Sequence, residues 1–259
     1  MTDRSTSNAY VPSYDRRHWL PDDEYRQKQK NSVEQVLQTV GPHLDHPLDQ
    51  LQVLDVGSGY GATACELARR CQRVVGIELS QQRVDTARQL AQRERLGNVE
   101  FRCQGVLELA DHAAYDLAIL DNVLEHLPDQ PAALAAISEA LKPGGLLYIL
   151  VPNKLWPIEV HYRLPFLSYL PLGCAHWYLR VTGRGTDYTD ASYAPTYLGL
   201  RRLLRARSEL SFAFVLPAKV ELAAGGAAWH YRWGVRAIKA CPPLWAISKA
   251  LLVVAKKNG

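Results

Sequence analysis

Three glycines at alternate positions, Gly57, Gly59 and Gly61, break an apolar run in Val53-Leu-Asp-Val-Gly-Ser-Gly-Tyr-Gly61. Without a Cβ, the backbone there can take φ > 0 and come close to a ligand. Helix formers follow from Ala62 to Arg70, so the turn opens a helix whose free N–H groups face back toward it. Asp55 stands two residues before the first glycine. A carboxylate so near a helix N-terminus repels a pyrophosphate and tolerates a cation. The dinucleotide pattern G-x-G-x-x-G also needs its third glycine one residue later than Gly61. The chemistry that suits this turn is therefore binding of S-adenosylmethionine (SAM), which carries an ammonium and a sulfonium and no phosphate, in preference to NAD.

Four further groups could take part. Glu78 ends a second apolar run, Arg73-Val-Val-Gly-Ile-Glu78, at the distance where a doubly wound fold places a ribose-binding acid. Its carboxylate can accept from both ribose hydroxyls. His126, in Asn122-Val-Leu-Glu-His126, and Glu159 and His161 further on, are candidates for moving a proton. An ordinary histidine titrates close to neutrality, which suits a general base. In a purely structural role, the same histidine would bond locally and hold its loop. Glu-x-His is also a metal-pair spacing, but no third ligand stands at a recognisable distance in the sequence, so no metal is expected.

The elements that must position these residues are legible from the apolar periodicity. A helix spans Asp22–Val40, with Val33, Val36, Leu37 and Val40 on one face, and Gly41-Pro42 stops it. Strands are expected at 52–56, 73–77, 99–103, 115–120 and 146–151, alternating with helices at 61–70, 81–94 and 131–141. Ser80 caps the second of those helices and Gly97-Asn98 ends it; Lys142-Pro-Gly-Gly145 is a turn. Continuously apolar strands of this kind belong to a parallel sheet covered on both faces. Beyond Pro152 the pattern loosens. Residues 154–195 read as an inserted lid, 196–207 as a helix, 211–216 as strand six and 250–256 as strand seven. A second insertion at 217–246 carries Gly225-Gly226 and a Trp/His/Tyr/Arg cluster from Trp229 to Arg236.

These motifs, in this order, resemble the class I SAM-dependent methyltransferases, in particular the small-molecule group that includes the ubiquinone and menaquinone enzymes. The resemblance runs from Leu51 to Asn153. It rests on LDVGSGYG (54–61), GIELS (76–80), YDLAILDNVLEHL (115–127) and LKPGGLLYILVPN (141–153). It implies an α/β, Rossmann-like, seven-stranded and mostly parallel sheet with helices on both faces, a lid after strand five, and strand seven antiparallel between five and six. It also implies that Gly57, Ser58 and Gly59 approach the methionine part of SAM beside Asp55. Glu78 would take the ribose, Leu79 would pack on the adenine, and Asp121 and Asn122 would face the cofactor from the loop after strand four. One position departs from the family. Where an acid often follows the glycine after strand three, this chain has Gln104-Gly105-Val106, with Glu108 further along. Backbone groups of Gly105 and Val106 are left to hold the adenine. Methyl transfer itself asks mainly for positioning, with a base required only for a hydroxyl or a protonated amine. The resemblance is specific to fold and cofactor and not to the acceptor; the reaction expected is methylation of an apolar, phenolic or lipid-linked small molecule, at oxygen in preference to carbon or nitrogen.

The whole chain sets outer bounds. At 259 residues it fits one domain: an N-terminal cap segment at 1–40, a cofactor-binding core at 51–153, the lid, and a C-terminal part at 196–259. Tyr10, Tyr14, His18 and Trp19 interleave the polar start. A net charge of +4 is mildly basic, and the cluster Arg201, Arg202, Arg205 and Arg207 reads as a solvated helix face, so nucleic acid is not the expected partner. The base-methylation signature Asn/Asp-Pro-Pro-Tyr/Phe is absent after strand four, where Leu120-Asp-Asn-Val123 stands instead. Five cysteines form no C-x-x-C pair, and no apolar run approaches the ~20 residues of a membrane span. A cytoplasmic protein with no leader is expected, at most peripheral to a membrane. The lid's mixture of Trp156, Tyr162, Phe166 and prolines fits ordinary core, an apolar acceptor pocket or a membrane contact. Two rivals remain open: an NAD-type oxidoreductase, and a SAM-binding regulator or partner subunit without turnover.

Overall fold

A computed structural model describes residues 22–217 and 229–259. Tyr10, Tyr14, His18, Trp19 and the Gly225-Gly226 pair lie outside them. Seven strands, β1 (Gln52–Val56), β2 (Arg73–Glu78), β3 (Val99–Cys103), β4 (Tyr115–Asp121), β5 (Leu141–Pro152), β6 (Leu210–Phe214) and β7 (Ala250–Lys257), form one sheet. Their order is β3-β2-β1-β4-β5-β7-β6. β1 to β5 pair in parallel, and β7 runs antiparallel to both β5 and β6. That reversed seventh strand departs from the six-stranded dinucleotide-binding order and removes the main ground for an NAD reading.

The helices are α1 (Asp22–Val40), α2 (Ala62–Ala68), α3 (Gln81–Arg93), α4 (Gln130–Ala140), α5 (Leu172–Val181), α6 (Tyr197–Arg205) and α7 (Trp229–Ala240). Alternate residues of each central strand serve opposite faces. Leu54 and Val56 pack with α4 and α6 on one side, while Val53 packs with α1, α2 and α3 on the other. Val33, Val36, Leu37 and Val40 are all buried, as their helical spacing requires. Ser80 accepts from Arg83 N and caps α3. Residues 153–196 enclose a small core of their own around Tyr162, Leu167, Leu179 and Tyr188.

Two local expectations are corrected. α3 closes on Arg95, with φ 55°, and not on Gly97. The Leu96 N–H reaches Ala91 O at 3.0 Å and the Arg95 N–H reaches Gln92 O at 3.1 Å, so the chain turns before the glycine arrives. Lys142-Pro-Gly-Gly145 is the entry of β5 and not a turn ahead of it: Leu141 already pairs with Tyr115, and the register then shifts. Gly144 supplies φ 79° at that irregularity, and a Cβ on Gly145 would sit 2.9 Å from Lys142 O.

Candidate functional site

The glycine turn leaves the carboxyl end of β1, at the centre of the sheet. Gly57, Gly59 and Gly61 have φ of 70°, 54° and 81°. A Cβ on Gly57 would lie 2.7 Å from Val123 Cγ2, and one on Gly61 would lie 2.6 Å from Ala87 Cβ; one on Gly59 would meet nothing within 4 Å. Gly57 and Gly61 are therefore forced by packing as well as conformation, whereas Gly59 borders open space. The next strand holds the turn: Gly57 N and Ser58 N donate to Ile77 O, and Gly59 N donates to Glu78 Oε2 at 3.1 Å. The other oxygen of Glu78 accepts from Ser80 N at 3.0 Å.

One cleft of about 1610 Å³ opens along this end of the sheet, larger than the ~300–1,000 Å³ of a single-ligand pocket. Gly57, Glu78, Leu79, Gly105, Val106 and Asn122 line it, as do His126, Glu159 and His161. Leu79 is 72% exposed, a bare apolar side chain facing the cleft. Asp55 and Asp121 are not among the residues lining it, and Gly59 borders open space at the turn. Glu108 folds back to accept from Gly105 N, so it caps the short turn after β3 and is not aimed into the cleft.

Asp55 is buried, and its Oδ2 has no hydrogen-bond partner among the described residues. Burial, reinforced by Asp121 and Glu78, pushes its carboxyl up to about 8. Asp55 is thus mostly protonated at neutral pH until a cation approaches, whereas the sequence reading took it as a standing carboxylate. Asp121 is also raised by burial, against hydrogen bonds from Ser32 and Asn122 that pull the other way. The Ser32 bond ties α1 across the end of β4, and Lys28 on the same helix lines the cleft. The sequence reading missed both residues, because nothing in a polar helix face shows which strand end it will cover.

The proton-moving candidates converge. His126 Nδ1 lies 2.9 Å from Asp190 O and 3.5 Å from its carboxylate. His161 Nδ1 lies 2.7 Å from Glu159 Oε1, while Glu159 Oε2 accepts from Tyr162 N. The two imidazoles meet edge to face with centroids 5.3 Å apart. Both Nε2 atoms approach one oxygen, Glu125 Oε1, at 3.9 Å from His126 and 3.8 Å from His161. Glu125 is fully buried, neither carboxylate oxygen has a hydrogen-bond partner among the described residues, and burial raises its pKa. Burial alone would lower the His126 pKa, but the Asp190 bond and the Glu125 charge outweigh it and hold His126 above the ordinary value. The Glu-x-His pair read in the sequence, Glu159 and His161, gains no third ligand of its own; tertiary structure instead gathers Glu125, His126 and His161, with their ligating atoms all within 4.8 Å of one another. Glu159 supports His161, Glu125 underlies both rings, and Asp190 was not foreseen.

Residues 54–149, which carry the glycine turn, Glu78 and the β4 loop, match the protein family described as Methyltransferase domain. These residues form a methyltransferase domain. A curated relative, ubiquinone biosynthesis O-methyltransferase of Idiomarina loihiensis, is 32% identical over 163 residues, covering 61% of this chain and 65% of the relative. The same-named protein of Acinetobacter baylyi is 36% identical over 105 residues, 40% of this chain and 44% of the relative. The chain thus spans less than two thirds of the length of these relatives. Among solved structures, the plantazolicin methyltransferase BpumL, in complex with a monoazolic desmethylPZN analog and SAH, superposes with a TM-score of 0.59 at 17% identity. That match covers 95% of this chain and 88% of BpumL, and at this identity it reports the shared fold. The matched segment ends within β5, so the elements bearing Glu159, His161 and Asp190 lie outside it. Among the described residues, no helix is long and apolar enough to cross a membrane.

Proposed function

We propose that this protein transfers the SAM methyl group to an oxygen of an apolar small molecule, phenolic or lipid-linked, with residues 154–195 acting as a lid. The observation that carries this reading is a single cleft lined both by the glycine-turn region and by two histidines whose Nδ1 atoms are tethered. With Nδ1–H donated to Asp190 O or to Glu159, Nε2 is left as the basic atom. It takes the acceptor's hydroxyl proton as the oxygen attacks the methyl carbon. The carbon–sulfur bond breaks with its electron pair on sulfur, leaving the neutral thioether S-adenosylhomocysteine. Gly57, Gly59, Glu78, Leu79, Gly105, Val106 and Asn122 hold the cofactor, with Asp55, Ser58 and Asp121 supporting them. A cation held beside this acid cluster would favour the ionised form of Asp55. Trp156, Ile158 and Trp245 supply an apolar lining for the acceptor. Five unbridged cysteines fit a reducing, cytoplasmic setting.

The test is turnover with SAM on a panel of quinols and phenols, followed across pH. The free imidazole is the active form, so turnover rises with pH, and its midpoint lies above the ordinary histidine value of about 6.5. Asp190→Asn removes a charge that raises this pKa, so the midpoint moves down. A profile unmoved by Asp190→Asn, or binding of SAM without turnover on any acceptor, counts against His126 as base; the latter favours a regulatory role.

A second reading is favoured by buried Glu125, whose two oxygens have no hydrogen-bond partner among the described residues. A divalent cation held by Glu125, His126 and His161 would acidify the acceptor hydroxyl directly. The pairs at 3.8 and 3.9 Å need to close only to about 3.4 Å for tetrahedral ligation at ~2.1 Å. Loss of turnover on dialysis against a chelator, restored by a divalent metal, selects this reading. Full activity in the chelator removes it.

A further inference from the structure

Residues 191–259 hold eleven of the chain's 30 Lys and Arg but only two, Glu209 and Glu221, of its 26 Asp and Glu. The rest of the chain is net acidic, so the overall charge of +4 comes entirely from this C-terminal part. Such segregation shows in α7, Trp-His-Tyr-Arg-Trp-Gly-Val-Arg-Ala-Ile-Lys-Ala, which contains no acid. At 100° per residue, Trp229, Arg232, Trp233 and Arg236 fall on one face, and Gly234 and Ile238 on the other. The second face lines the cleft. The first is turned outward: Trp229 is 72% and Trp233 60% exposed, with the Arg236 guanidinium 5.6 Å from the Trp233 ring centroid.

α6 repeats this pattern. Leu198, Arg201, Arg202 and Arg205 share one face, with Leu198 64% exposed, while Leu200 and Leu204 are buried on the other. α6 adjoins the turn Pro242–Ile247 that follows α7, with the Tyr197 and Trp245 rings stacked at 13°. Ile247 on that turn is 55% exposed and lines the cleft.

From these placements we propose that the outer face of α7, with the cationic helix α6 packed on the turn that follows it, docks the protein on an anionic lipid surface. Tryptophan suits the depth of the headgroups, and Arg and Lys suit the phosphates on either side of it. The charge pattern selects an anionic surface, and paired exposed tryptophans distinguish a lipid interface from a purely ionic partner. Because the inner face of α7 walls the cleft, docking would set the acceptor-binding end against the membrane. This extends the proposed apolar, lipid-linked acceptor, but vesicle binding is read without any methyl transfer, so the two can fail separately.

The test is cosedimentation of the full chain with phosphatidylcholine vesicles, with and without phosphatidylglycerol, at low and high salt. Sedimentation is expected with the anionic vesicles only, weakening with salt. At roughly 1 kcal/mol for each basic residue at an anionic surface, R232Q/R236Q weakens partitioning about thirtyfold. W229S/W233S lowers it independently of salt. Retained SAM binding by calorimetry shows that the variants fold. The proposal is overturned if wild type ignores anionic vesicles at low salt, or if folded variants sediment as wild type does. It is equally overturned if these residues control retention on a single-stranded RNA oligonucleotide while vesicles are ignored.

Discussion

Replacing His126 and His161 together by alanine lowers turnover on a hydroxyl acceptor by about 10²–10⁴-fold, the range over which a positioned base contributes. The expectation rests on two imidazoles that are equivalent in the ways that matter. Each has Nδ1 held by a partner, Asp190 for one and Glu159 for the other, and each directs Nε2 toward Glu125 Oε1. One histidine can partly stand in for its neighbour, so each single alanine variant loses less than half of the logarithmic effect. Affinity for SAM, read by calorimetry, stays within about twofold, because neither imidazole is among the residues assigned to hold the cofactor. Undiminished turnover in the double variant would remove proton abstraction by these residues from the mechanism. A parallel loss of SAM affinity would reassign them to holding the loop.

Gly57→Val abolishes cofactor binding in a protein that still folds. The side chain would need φ near 70°, which costs a β-branched residue about 1–3 kcal/mol, and its Cβ would start 2.7 Å from Val123 Cγ2. Neither cost can be relieved cheaply, since Val123 leads directly into the turn that carries Glu125 and His126. The strain therefore reaches both ends of the reaction. Gly59→Ala is the informative partner: it pays the conformational cost at φ 54° but meets nothing within 4 Å. Calorimetry should show SAM binding lost in the first and weakened in the second, with thermal midpoints in the same order. Equal losses would mean that conformation alone matters and that packing against Val123 does not. A long side chain at Gly59 enters open space beside the turn, so Gly59→Arg should block the ligand while leaving the turn intact.

The core of the fold could be read because its determinants are local. Apolar runs of strand length, Ser80 ahead of an amphipathic stretch, and glycines at alternate positions each act within a few residues, and each lies where expected. The misreadings are local competitions of similar energy. Arg95 took the left-handed position two residues before Gly97 because hydrogen bonds to Ala91 and Gln92 closed the helix first. Lys142-Pro-Gly-Gly145 was drawn into β5 because Leu141 could already pair with Tyr115.

By itself, the sequence determined that a glycine turn follows β1, that an acid ends β2, that a histidine follows β4, and that a parallel sheet carries all three. These depend on backbone freedom, alternation of apolar side chains and chain order. Only tertiary structure decided what the histidine does. Glu125, His126, His161 and Asp190 are joined by contacts across as many as 64 residues, and no short-range pattern encodes such a meeting. It also decided the state of Asp55, whose protonation follows from burial beside Glu78 and Asp121. Proximity in chain order set the residues available; desolvation and convergence at the strand ends set their chemistry.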